Sequence, residues 1–270
     1  MPILTSDYVG AWYYFTYNNV PIMLESWNES QDRATDQKKL IQGDIGTHVM
    51  SAGGMSWVTD IGSPVLITTS TINTPIDIVF YFLNNLYLRN ENINLYGSLL
   101  KSASIDISEQ GVHCKAQLWS DVALPLAPVY NLTSDNWTAR EANFYDTQIG
   151  INGAGVWNAL SGSINIDVDI TANYFIGGGQ IPSFAVQGYT IKGNLKLAVP
   201  LTDTTLTILQ QTPNELYIDS SMIQVIVAQY DLFPLASSTP VLWSVIKRDI
   251  EAAKITSLDI SFESYAKRFA

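Results

Sequence analysis

The sequence predicts a mainly-β fold, a β-sandwich or partly closed barrel with one or two flanking α-helices. Three observations carry that prediction. In Ser163–Ile170 the alternation is strict: Ser163, Asn165, Asp167 and Asp169 fall on one face, and Ile164, Ile166, Val168 and Ile170 on the other. Period-2 alternation marks a half-buried strand. Ser102–Ser108 and His113–Trp119 also alternate, on either side of Glu109–Gly111, which is a hairpin signal. Helical periodicity is confined to two stretches in a chain otherwise built of strand-like runs.

Taken in order, Tyr8–Tyr17 is aromatic-rich and reads as a strand or as an arm packed on a neighbour. Asn28–Lys39 is polar and densely charged and reads as an exposed loop or short helix. Gly43–Trp57 holds several glycines and passes into a Ser/Thr-rich strand pattern ending at Ser70. Thr74–Arg89 is the clearest helix. Thr74 is a good N-cap, Pro75 fits the first helical position, and Asp77 complements the positive N-terminal end. Ile76, Val79, Phe80, Leu83 and Tyr87 recur at helical spacing and define a buried stripe. After the Ser102–Trp119 hairpin, Leu124–Val129 is a proline-punctuated linker or edge segment. Asn131–Asp146 reads as a polar loop and Gly150–Gly155 as a turn. Ser163–Ile170 and Tyr189–Val199 are strands joined through the glycine run at Gly177–Gly179. Thr204–Leu209, Glu215–Ile218 and Met222–Tyr230 read as strands. Val241–Lys254 reads as a second helix, with Trp243, Ile246 and Ile250 on one side, and Ile255–Phe262 as a final strand. The chain divides into an N-terminal arm or extension (1–42), a β domain (43–235), and a C-terminal helix and strand packed on that domain (236–270).

At 270 residues the chain is long enough to bury a sizeable core. Charged residues make up 14%, where about a quarter is usual. That shortfall points to a surface that faces other protein, since interface cores exclude charge; an uncharged polar surface on a free β protein is the plainer alternative. The formal net charge of −11 excludes a protein that wraps nucleic acid, because the cations that neutralise phosphates are too few. It is compatible with DNA passing without sticking. The first twenty residues lack a basic region and a small-residue cleavage site, so no export signal is expected. No apolar run is long enough to span a bilayer as a helix.

The search for chemistry leaves little. Cys114 is the single cysteine, so no intrachain disulfide can form, and it reads as a small core or interface hydrophobe. His113 is its neighbour, but adjacent strand residues point to opposite faces, which argues against a dyad. With His48 as the other histidine, the ligands for a zinc site are too few. Gly150–Gly155 lacks the Lys-Ser/Thr of a phosphate-binding loop. Asp167 and Asp169 lie about 7 Å apart on one strand face, a spacing compatible with paired carboxylates and equally with an ordinary solvated face. Trp57, Trp119, Trp137 and Trp157 are conceivable sugar platforms, though scattered aromatics are more often core or interface. No catalytic residue, cofactor-binding residue or metal ligand is assigned, and no enzyme activity is expected.

The order of features resembles that of tail tube (major tail) proteins of long-tailed bacterial and archaeal viruses. A glycine-rich strand region precedes the helix Thr74–Arg89, a hairpin runs from Lys101 to Trp119, and a long loop follows. Then comes LSGSINIDVDITANYFIGGGQIPSFAVQGYTIKGNLKLAVP, with a strand of the S-x-x-I-x-I type, a glycine-containing loop, and a segment at Ala185–Gly188 before the next strand. The resemblance spans Gly43 to Tyr230. It implies a tail-tube-like fold, a β-sandwich flanked by a helix. It implies hexameric rings that stack into a hollow tube, in which neighbouring subunits complete an inner β-barrel. Loops and arms such as Gly46–Gly62 and Asn131–Gly155 would bridge the rings. Other tail proteins would be partners, and the genome would pass through the lumen without specific binding and without membrane insertion. The subunit would be made in the host cytoplasm and end in the virion tail. Asp167 and Asp169 are expected to face the lumen; an outer solvated surface is the alternative. Two other classes stay open: a carbohydrate-binding β-sandwich module, which should be monomeric, and a pore-forming β protein, which needs an apolar outward band.

Overall fold

The computed structural model describes residues 13–17, 20–22, 24–42, 45–68, 74–87, 98–120, 126–128, 139–151, 154–173, 183–198, 223–227, 230–231, 241–250 and 256–267. The fold is mainly β, and its pairings are antiparallel throughout these residues. In chain order the strands are β1 (Tyr13–Tyr17), β2 (Val20–Ile22), β3 (Ser26–Gln42), β4 (Ile45–Pro64) and β5 (Leu66–Thr68). The helix α1 (Pro75–Tyr87) follows. Then come β6 (Ser98–Ser108), β7 (Gly111–Ser120), β8 (Leu126–Pro128), β9 (Ala139–Glu141), a 3-10 turn (Phe144–Asp146), β10 (Thr147–Ile151), β11 (Ala154–Asn173) and β12 (Ser183–Ala198). The last are β13 (Ile223–Val227), β14 (Tyr230–Asp231), β15 (Val241–Asp249) and β16 (Ser257–Lys267).

One 11-stranded sheet dominates. Its long run is β15-β16-β12-β11-β6-β7-β4-β3. A branch, β14-β13-β10, joins at the start of β11. β11 is therefore shared: its first residues pair with β10, and from Ala159 onward it pairs with β12. A register shift between Ala159 and Ser161 separates the two parts. A bulge of this kind bends a strand and lets it pass from one sheet region to another.

Register follows from the hydrophobic alternation. Ile166 lies between Ala103 and Ile191, and Ile164 between Ile105 and Gly193. Ala103 pairs with Ala116 and Ile105 with Cys114, which carries the same face to Ile61 and Ser63 of β4. These side chains are buried together with Leu195, Leu258, Ile260 and Phe262. A one-residue slip would turn every one of them to water, at about 1.5–3 kcal/mol for each large aliphatic residue. α1 packs on this core face against β4, β6 and β7, and also against β14. Ile76, Val79 and Leu83 of the expected stripe are buried, and so are Ile78 and Phe82. The helix is thus covered on more than one side, with Tyr81 exposed.

Two expectations are corrected. Asn28–Lys39 is not a loop or helix but part of β3, paired residue for residue with β4 from Ser26↔Gly62 to Gln42↔Ile45. The division at residue 42/43 therefore falls inside one hairpin, and Gly46–Gly62 is strand rather than loop. Val241–Lys254 does not begin as a helix: Val241–Asp249 is β15, paired with β16. The C-terminal segment 236–270 thus adds two strands rather than a helix and a strand. Its β16 pairs with β12 as part of the main sheet. The Ser102–Trp119 hairpin and the strands around Ser163–Ile170 and Tyr189–Val199 stand as read. Leu124–Val129 contains β8, at the edge of a small sheet ordered β2-β1-β8. Gly177–Gly179, Thr204–Leu209, Glu215–Ile218 and residues 131–138 lie outside the described residues, while the rest of Asn131–Asp146, expected as a polar loop, holds β9 and the 3-10 turn.

Candidate functional site

The second face of the long sheet is polar, and alternation places its side chains in cross-strand rows. One row runs Asn28, Asp60, Gln117, Ser102, Asp167, Thr190 and crosses six strands. The next runs Ser26, Gly62, Lys115, Ser104, Asn165, Lys192, Glu263. Where β3, β4, β7, β6 and β11 meet, these two rows enclose an open depression of about 510 Å³. Its shape follows from side-chain size. Ser102 and Ser104 are short and leave a dip, while Asn28 and Asp60 stand on one side and Asn165 and Asp167 on the other.

Asp167 lines this depression and Asp169 does not. Both are exposed on the same face, but Asp169 lies opposite Gly188, beyond the end of the β6–β11 pairing. The sequence reading placed Asn165 on the face of Asp167 but missed Asp60, Gln117 and Asn28 as its neighbours. Polar alternation was visible for Gln117 and Asn165, but which strands lie side by side is set by long-range pairing that one sequence does not display.

Several contacts fix the surroundings. Gln117 Nε2 donates to Asp60 Oδ1 at 2.9 Å. Lys101 is the extra residue of a bulge between Leu100 and Ser102. Its Nζ donates to the Val168 carbonyl at 2.9 Å and sits 5.3 Å from the Trp119 ring centroid. The bulge thus serves a carbonyl just past the last β6–β11 pair, with a cation–π contact behind it. Lys192 and Glu263 form an ion pair at 3.2 Å across β12 and β16 on the same face.

The remaining candidates separate. Cys114 is buried in the core, and burial pushes its thiol up, with Asp77 and Asp106 adding to the effect; it is not a poised nucleophile. His113 is on the opposite face of β7, with Nδ1 3.8 Å from Glu25 Oε2. Trp57 and Trp119 are half-buried. Trp137 and the side chain of Trp157 lie outside the described residues. Among the described residues no three His, Cys, Asp or Glu side chains converge as a metal site, and no helix is long and apolar enough to cross a membrane.

A second ordered feature is the 3-10 turn. Arg140 Nη1 and Nη2 each donate to Asp146 at 2.6 Å, and the Asn143 amide donates to Asp146 Oδ2 at 3.0 Å. The hydrogen bonds from Arg140 hold the Asp146 carboxyl below the usual carboxylate range, against a smaller opposing effect of burial. The turn presents Tyr145 at 70% exposure.

Chemically, the polar face offers carboxylates, amides and hydroxyls in the open, with a fixed backbone beneath them. That arrangement suits contact with a polar ligand or with water along a wall. No protein-family model matches the chain, and no curated protein is similar to it.

Proposed function

We propose that the chain is a structural subunit that assembles into stacked rings forming a hollow tube, as in viral tails, through which a genome passes. The observation that carries this reading is the condition of the sheet's edges. Among the described residues, β3 pairs with β4 alone and β15 with β16 alone. β15 has the apolar sequence VLWSVI. An apolar edge strand of this kind invites pairing with another chain. Heterologous contacts between like subunits that close give a ring of cyclic symmetry.

The low share of charged residues supports the same reading, as does the polar outer face of the main sheet. In such a ring that face, with Asp167 and Asp169, would turn to the channel. Its carboxylates would repel a polyanion rather than bind it. The hexameric number, the virion location and the partnership with other tail proteins rest on the resemblance.

Negative-stain electron microscopy of the purified protein at high concentration tests the proposal. Hollow tubes or stacked rings are the expected result. A sedimentation profile showing monomer alone at the same concentration would sink it.

A further inference from the structure

We infer that the depression between β3, β4, β7, β6 and β11 binds a short neutral oligosaccharide. Its volume of about 510 Å³ is within the range of small-ligand sites. The lining chooses the ligand class. Asp60 and Asp167 stand on opposite walls, and carboxylates accept strong hydrogen bonds from hydroxyl groups. Asn28, Gln117 and Asn165 carry amides that both donate and accept, as sugar hydroxyls do. Ser102 and Ser104 add hydroxyls along the floor.

Charge excludes the competing ligands. Two carboxylates against the single cation Lys115 disfavour phosphate groups and nucleic acid. A bare metal ion would need a third ligand, and no such cluster forms among the described residues. The hydrogen bond from Gln117 to Asp60 fixes two of the polar groups before a ligand arrives, which lowers the ordering cost of binding.

This inference does not rest on tube assembly, because it is read on the dissolved subunit. The test is saturation-transfer-difference NMR followed by calorimetry, with maltotriose, cellotriose and triacetylchitotriose as probes. At least one should bind with millimolar or tighter affinity. Asp167→Ala and Asp60→Ala should each weaken it about ten-fold or more, about 1.4 kcal/mol. Asp169→Ala, on the same strand face but outside the depression, should leave it unchanged. Both acids are exposed, so the variants should keep the parent circular dichroism spectrum, and this is checked alongside. The inference is overturned if the folded parent transfers saturation to none of the three sugars. It is overturned equally if Asp169→Ala weakens binding as much as Asp167→Ala does.

Discussion

Phe262 and Gly193 face each other across β12 and β16. The Phe262 ring, 2% exposed, lies directly over the glycine, and a Cβ at residue 193 would overlap ring atoms. Here glycine is required by close approach rather than by an unusual backbone angle. The large ring fills the space that the missing side chain leaves, so the pair packs as one unit within the core. Gly193→Ala should therefore destabilise the protein by about 1–3 kcal/mol, the usual cost of overpacking. Urea denaturation measures it. Combining Gly193→Ala with Phe262→Leu should cost less than the sum of the two single changes, because the smaller side chain makes room. Full additivity would mean that the two residues do not share the space as described.

The N-terminus of α1 is held by one carboxylate acting in two directions. Asp77 Oδ2 accepts from the Thr74 amide at 2.5 Å and from Thr74 Oγ1 at 2.9 Å. Asp77 Oδ1 accepts from the Tyr230 hydroxyl at 2.7 Å, and the Tyr230 ring meets Phe80 edge-on at 5.7 Å. A local cap thus becomes a tie to β14, 153 residues away in sequence. Asp77→Ala should cost about 2–3 kcal/mol, combining a lost cap with a lost charged hydrogen bond. Tyr230→Phe alone should cost less, and a double-mutant cycle should give a coupling of about 1 kcal/mol between them. A coupling of zero would reduce Asp77 to a cap. The cap was legible in Thr74-Pro75-Ile76-Asp77, since its partners are neighbours in sequence; Tyr230 was not. The two misread segments also have physical reasons. β3 carries charge on both of its faces and lies at an edge, so no apolar alternation announces it. In β15 a register shift between Trp243 and Val245 places Trp243 opposite Phe262 and Ile246 opposite Ile260. Two alternate residues of β16 thus face residues three apart on β15, and that spacing imitates a helix.

For the molecule as a whole, the misread strand β3 is also one whose pairing with β4 runs on past β7. β4 pairs with β7 only from Trp57 to Pro64, whereas its pairing with β3 continues to Gln42↔Ile45. Among the described residues, Ile45–Ser56 and its partner strand pair only with each other, as a two-stranded arm roughly 35–40 Å long at about 3.4 Å per residue. A two-stranded ribbon by itself is marginally stable in water. Contact with a further copy of the chain would give it the third surface it needs. This separates the arm from the edges as contributors to assembly, and the register shows where to cut. Removing Thr35–Ala52 leaves the pair Arg33↔Met55 closed by Ala34, Gly53 and Gly54, a short glycine-containing loop suited to a hairpin. The shortened protein should keep the thermal midpoint of the body within a few degrees, because the core on β4, β6, β7 and β11 is untouched. It should fail to form tubes under conditions where the full chain does, with rings as the largest species if the sheet edges close them unaided. Tubes of unchanged diameter and length distribution from the shortened chain would remove the arm from the assembly and leave the edges alone to account for it.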